Sequence, residues 1–201
     1  MTETEKRTAF GYACVGIAGA GGLGSNVAMI LARAGVGKLV LVDFDRVEKG
    51  NLSRQCFFSD QIGELKVEAL RRNIGRVGYG TQVATVNLML EPGKMAAPFD
   101  GVDVSVEALD SGDTKAAFIS EMLRRAPERP LVAASGVMGT GDGSSFHVRR
   151  VGALFLVEDI NSNPCKAVAF VGSRVALVAA WQAHVVLQIL AGVIDDDRGK
   201  R

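Results

Sequence analysis

Cysteine is scarce: three residues in 201, at positions 14, 56 and 165. They are too few and too scattered for a disulfide framework, and no C-x-x-C pair offers a structural zinc site. No structural zinc is therefore expected, and a reducing cytoplasm is the expected compartment. Proline is scarce beside glycine, 5 against 24. That excludes polyproline linkers and points to tight turns and close backbone approach. No charge surplus exists: the formal net charge is +1 and neither sign dominates a long run. A nucleic-acid partner is not expected on that footing. Met1 to Arg7 is polar and mixed in charge, unlike a signal peptide. Only one hydrophobic run, Val175 to Ile194, approaches membrane-spanning length. It carries Gln182, His184 and Gln188 and stands alone, so it reads as a buried C-terminal helix and no membrane is expected. Histidine is nearly absent too. His184 reads as a core residue of that helix and His147 as a strand residue, neither with partners for a metal site or a triad.

What is present is globular: 48% hydrophobic and 22% charged residues, enough for one substantial core. The expectation is a single domain over 1–201, with an N-terminal arm at 1–10 and a charged tail at 195–201. Ala13 to Ala18 reads as a buried strand, Ser25 to Ala34 as a helix and Lys38 to Val42 as a second strand, a complete βαβ unit. Arg46 to Asp60 reads as loop with a helical turn near Leu52. Glu64 to Ile74 and Asp113 to Arg125 read as helices, and Thr81 to Leu88, Val102 to Ala108 and Pro130 to Ala134 as strands. Ser144 to Val148 and Ala153 to Val157 suggest a partly antiparallel section before a last helix, Val171 to Ala191. The fold class expected is α/β: a Rossmann-like, mainly parallel sheet flanked by helices.

The chemistry starts at Gly19-Ala20-Gly21-Gly22-Leu23-Gly24, a G-x-G-x-x-G loop between strand and helix. The first glycine allows the turn, the second lets phosphate reach the backbone, and the third lets helix pack on strand. The ordinary alternative is a merely tight turn. Asp43 ends the second strand, where a carboxylate accepts from ribose hydroxyls; ATP and NAD both carry that ribose, so Asp43 does not choose between them. Asp45 reads as a turn residue. Arg54 and Lys66, flanked by Asn51 and Gln55, do discriminate. A triphosphate under substitution builds negative charge that two cations stabilise, whereas a dinucleotide site has no such need. The alternative is that both are surface charges. Glu107-Ala108-Leu109-Asp110-Ser111 closes the third main strand, where open α/β sheets bind ligands. A carboxylate there suits Mg2+, and Asp110 serves equally as a helix N-cap.

These residues, in the run GAGGLGSNVAMILARAGVGKLVLVDFDRVEKGNLSRQ with Lys66 beyond it, resemble the ThiF/MoeB superfamily, which includes the ubiquitin-activating enzymes. The resemblance is to the short ThiF-like branch and runs from about Cys14 to Gly192. It implies an adenylyltransferase that uses ATP to activate the C-terminal glycine of a small ubiquitin-like sulfur carrier ending in Gly-Gly, in thiamine or related sulfur-cofactor synthesis. It implies roles as well: the glycine loop (Gly19, Gly21, Gly22, Gly24) and Ser111 at the nucleotide, Gly22 against phosphate and Asp43 at the ribose. Asn51, Arg54 and Gln55 surround the phosphates, Lys66 neutralises them and Asp110 serves a transient Mg2+. A homodimer is implied, with Arg7 reaching the partner subunit. Cys165, in Asn163-Pro164-Cys165-Lys166, resembles the position of a cysteine that links covalently to the carrier, and a nearby Lys and helix N-terminus would favour its thiolate. Its ordinary reading is a small loop or core residue, as Cys14 and Cys56 are read. Departures are the missing zinc cysteines, a chain that stops at Arg201, Ser111 where many members have Asn, and Lys115 where many have Arg. Two other functions remain open here: a nicotinamide-dependent oxidoreductase resting on the same loop and Asp43, and a non-catalytic carrier-binding module.

Overall fold

The computed structural model describes residues 9–135, 137, 146–159 and 172–194. Strand β1 (Cys14–Ala18) is apolar and buried, and leads into helix α1 (Gly22–Arg33). Strand β2 (Lys38–Val42) follows. Short 3-10 turns at Lys49–Asn51 and Ser59–Gln61 lead to α2 (Lys66–Gly75) and β3 (Gln82–Val86). Then come β4 (Val104–Glu107), α3 (Gly112–Arg125) and β5 (Leu131–Ala134). The hairpin β6 (Phe146–Val151) and β7 (Leu154–Asp159) precedes α4 (Gly172–Leu190).

Among the described residues these strands form one sheet in the order β3-β2-β1-β4-β5-β7-β6. Every pairing is parallel except β6 with β7. The fold class is the expected one, a mainly parallel α/β sheet with one antiparallel pair. β1 pairs with both β2 and β4, so the chain leaves β1 to one side and returns on the other. The crevice beyond the carboxyl ends of β1 and β4 is where such sheets take ligands.

One face of the sheet is covered by α1, α2 and α4, whose buried side chains join Val15, Ile17, Val104 and Val106 in the larger core cluster. The other face is covered by α3 and the segment around Met95 to Val102, where Phe99 meets Phe118 edge to face at 5.3 Å. Helix α4 is long and apolar enough to cross a membrane by length and composition. Here Val175, Val178, Ala179, Gln182, Ala183, Val185 and Val186 are buried in the protein core instead.

Two expectations shift. Helix α1 begins at Gly22, three residues before Ser25, because the last glycines of the loop already lie in its first turn. His184 is exposed on α4, not in the core: the buried stripe runs through Gln182, Ala183, Val185 and Val186 and leaves position 184 outside. Cys14 and Cys56 are half-buried beside the core, near the expected placement.

Candidate active site

The loop after β1 is shaped by backbone contact. Gly19 has φ +96°, a left-handed conformation, and a Cβ there would meet the Ala108 carbonyl oxygen at 2.6 Å. A Cβ on Gly24 would run into the Gly19 carbonyl, so helix and loop pack backbone to backbone. Gly21, the N-cap of α1, makes no side-chain cap bond, which leaves the positive end of the helix open to an anion.

Beyond this loop opens a cleft of about 710 Å³ at the carboxyl ends of the strands. Gly19, Gly21, Gly22, Asp43, Asn51, Arg54, Gln55, Lys66 and Asp110 all line it. Two of the expected site residues do not. Gly24 lies behind the loop against Gly19, and Ser111 is turned to capping, its Oγ accepting from the Thr114 N–H at 3.5 Å as the N-cap of α3. Cys165 and Arg7 lie outside the described residues.

Asp43 splits its carboxylate between two backbone N–H groups: Ala20 donates to Oδ2 at 2.6 Å and Asp45 to Oδ1 at 2.7 Å. It therefore ties the end of β2 to the glycine loop, with lone pairs left for a further donor. Asn51 Oδ1 accepts from the Glu48 N–H at 3.0 Å. Arg54 Nη1 donates to the Gly50 carbonyl at 3.0 Å. Gln55 is buried with its Nε2 beside Gly21, and its Oε1 has no hydrogen-bond partner among the described residues.

Lys66 is no surface lysine: it is 6% exposed, and its Nζ meets Asp45 Oδ2 at 2.7 Å. Asp45 is thus an ion-pair partner rather than a mere turn residue. Since Ser111 supplies the cap, the Asp110 carboxylate has no hydrogen bond or ion pair among the described residues, and it stands exposed on the cleft wall.

Two charged pairs escaped the sequence. Glu107, fully buried, takes Lys115 Nζ on Oε2 at 2.5 Å and the Leu109 N–H on Oε1 at 2.7 Å, while Lys115 also donates to the Ala134 carbonyl at 2.9 Å. Burial pushes the Glu107 carboxyl up against the downward pull of Lys115. Arg174 at the start of α4 pairs with Asp159 at the end of β7, both buried, and its guanidinium lies over the Phe146 ring at 4.8 Å. The eight-residue step from Glu107 to Lys115, from the end of β4 into the first turn of α3, was the available signal for the first pair; the second had none. Burial raises the thiols of Cys14 and Cys56, so neither is an activated nucleophile. Neither histidine lines the cleft.

A family model matches nearly the whole chain: the ThiF family, residues 4–200. The chain belongs to the ThiF family. It is 29% identical over 193 residues to molybdopterin-synthase adenylyltransferase of Escherichia coli K12, covering 92% of this chain and 75% of that one. It is 33% identical over 132 residues to adenylyltransferase and sulfurtransferase MOCS3 of Caenorhabditis briggsae, covering 65% of this chain and 32% of that one. It therefore spans three quarters of the first relative and about a third of the second. In fold it is similar to tRNA N6-threonylcarbamoyladenosine dehydratase TcdA of E. coli in complex with AMP, with a TM-score of 0.84, 23% identity and coverage of 94% and 90%. This ThiF-family protein is an adenylyltransferase by type, and the nicotinamide reading of its glycine loop loses its ground.

Proposed function

We propose that this ThiF-family protein adenylates the C-terminal glycine of a small ubiquitin-like sulfur carrier, taking AMP from ATP, in thiamine or related sulfur-cofactor synthesis. The observation that carries the reading is the placement of Arg54, Lys66 and Asp110 around one cleft with the open N-terminus of α1. The carrier's terminal carboxylate attacks the α-phosphorus. A new phosphorus–oxygen bond forms, the bond to the bridging α–β oxygen breaks, and pyrophosphate leaves with the electron pair. That nucleophile is already ionised near neutral pH, so the step needs stabilisation of phosphoryl charge rather than a general base. The absence of both histidines from the cleft lining agrees with such a step.

Each group then has a task. The first-turn N–H groups of α1 receive phosphate, Arg54 offers a planar guanidinium fork, and Lys66 supplies a point charge. Asp110, an exposed oxygen donor with no partner among the described residues, fits Mg2+, which is commonly held by one or two carboxylates together with substrate phosphates. Bound there, the ion would neutralise phosphate charge. The same reading assigns the protein to the cytoplasm as a homodimer. The name of the molybdopterin-synthase relative and those of ubiquitin-like modifier-activating enzymes support a protein acceptor.

The test is ATP–pyrophosphate exchange with a carrier ending in Gly-Gly. Exchange is expected only with the carrier present, and Asp110→Asn is expected to lower it by about 100-fold or more. ATP binding without exchange for any such carrier would sink the proposal. Unaltered function in Asp110→Asn would favour a carrier-binding module.

A further inference from the structure

The segment that carries Arg54 and Gln55 has no helix or strand of its own, yet it is pinned to the first turn of α1 by two side chains. Asn26 Nδ2 donates to the Gly22 carbonyl at 2.7 Å and to the Arg54 carbonyl at 3.0 Å. Its Oδ1 accepts from the Cys56 thiol at 3.4 Å. Ser25, fully buried, donates through Oγ to the Gly21 carbonyl at 2.6 Å and accepts the Cys56 N–H at 3.1 Å. Both residues belong to the helix whose N-terminus faces the cleft, and both reach back to loop carbonyls as they reach across to residues 54–56.

We propose that Asn26 is a positioning residue for Arg54, with Ser25 as the second peg. Gly22 and Arg54 are separate pieces of the phosphate-facing surface, 32 residues apart in sequence. Asn26 bonds to the backbone of both, and so fixes the root of the Arg54 side chain relative to the N-terminus of α1. A guanidinium that must meet phosphate oxygens directionally works only when its backbone is held to within about 0.5 Å. The inference rests on the nucleotide role proposed above for Arg54.

A double-mutant cycle read by binding of a non-hydrolysable ATP analogue tests it, without requiring any acceptor protein. Arg54→Ala and Asn26→Ala are each expected to weaken binding by about tenfold. The double variant is expected to bind no worse than Arg54→Ala alone, within about twofold, because the peg has no use once the guanidinium is gone. Asn26→Asp keeps the size and the thiol acceptor but loses both N–H donors, and sets a carboxylate against two carbonyls; it is expected to bind at least as poorly as Asn26→Ala. It also replaces Asn26→Ala in the cycle should the alanine variant fail to fold. Additive losses of about 100-fold in the double variant, or normal binding by Asn26→Asp, would overturn the positioning role alone. Normal binding by Arg54→Ala would overturn the nucleotide role of Arg54 together with it.

Discussion

Lys66 owes its place to Asp45. An ammonium 6% exposed loses most of its water, and the carboxylate at 2.7 Å replaces it. Backbone contacts bring the two together: the Lys66 N–H donates to the Asp45 carbonyl at 2.9 Å, beside the bridge between Arg46 and Leu65. Asp45→Ala is expected to cost about 1–3 kcal/mol in urea unfolding, kept toward the low end by the half-exposed carboxylate. Asp45→Asn should recover part of the loss, since its amide oxygen still accepts. An unchanged midpoint in both would mean the pair does not hold Lys66. From sequence Asp45 looked like a turn residue, because aspartate is common in turns and its partner lies 21 positions away. Asp110 went the other way: Ser111 took the capping role and left the carboxylate to the cleft.

At the scale of elements, the hairpin β6–β7 carries charge on its outer surface. Glu158 sits between Arg149 Nε at 2.7 Å and His147 Nε2 at 3.2 Å. Its bond to Arg149, aided by His147, holds the Glu158 carboxyl below the usual carboxylate range despite partial burial. A depressed folded value stabilises the protein above the unfolded pKa of about 4.3, and that stability is lost as pH falls through the folded value. Arg149→Ala should therefore unfold at a lower temperature than the parent at neutral pH, with the gap closing toward about pH 3 in thermal melts. A gap that widens in acid would contradict the assignment. Element type was readable throughout, since apolar runs and 3.6-residue spacing report local burial. Boundaries were less so: α1 starts inside its glycine loop because backbone packing of Gly24 on Gly19, not propensity, decides where the first turn closes.

For the whole molecule, α4 joins the sheet through Arg174 and Asp159, a buried pair linking the helix start to the last strand. Asp159→Ala would leave a guanidinium 5% exposed without that partner, and is expected to destabilise the protein by about 3–5 kcal/mol in chemical denaturation. A loss below about 1 kcal/mol would show that the Phe146 ring and other contacts hold Arg174 without it. The α/β class, the order of elements and part of the polar lining of the cleft, Asp43, Asn51, Arg54, Gln55, Lys66 and Asp110, were legible along the chain. Glycine loops, strand patterns and the spacing from Gly19 to Lys66 are local properties, and neighbouring residues impose them. What only the tertiary structure decided is who meets whom: Lys66 with Asp45, Glu107 with Lys115, Arg174 with Asp159, and Asn26 with the backbone of Arg54. Those pairings arise where segments fold back at one end of the sheet: the bridge between Arg46 and Leu65 brings Asp45 to Lys66, the turn after β4 brings Lys115 to Glu107, the start of α4 meets the end of β7, and the loop after β2 lies against α1. Burial then makes an unpaired charge or amide costly, so packing selects the partners that sequence proximity cannot reveal.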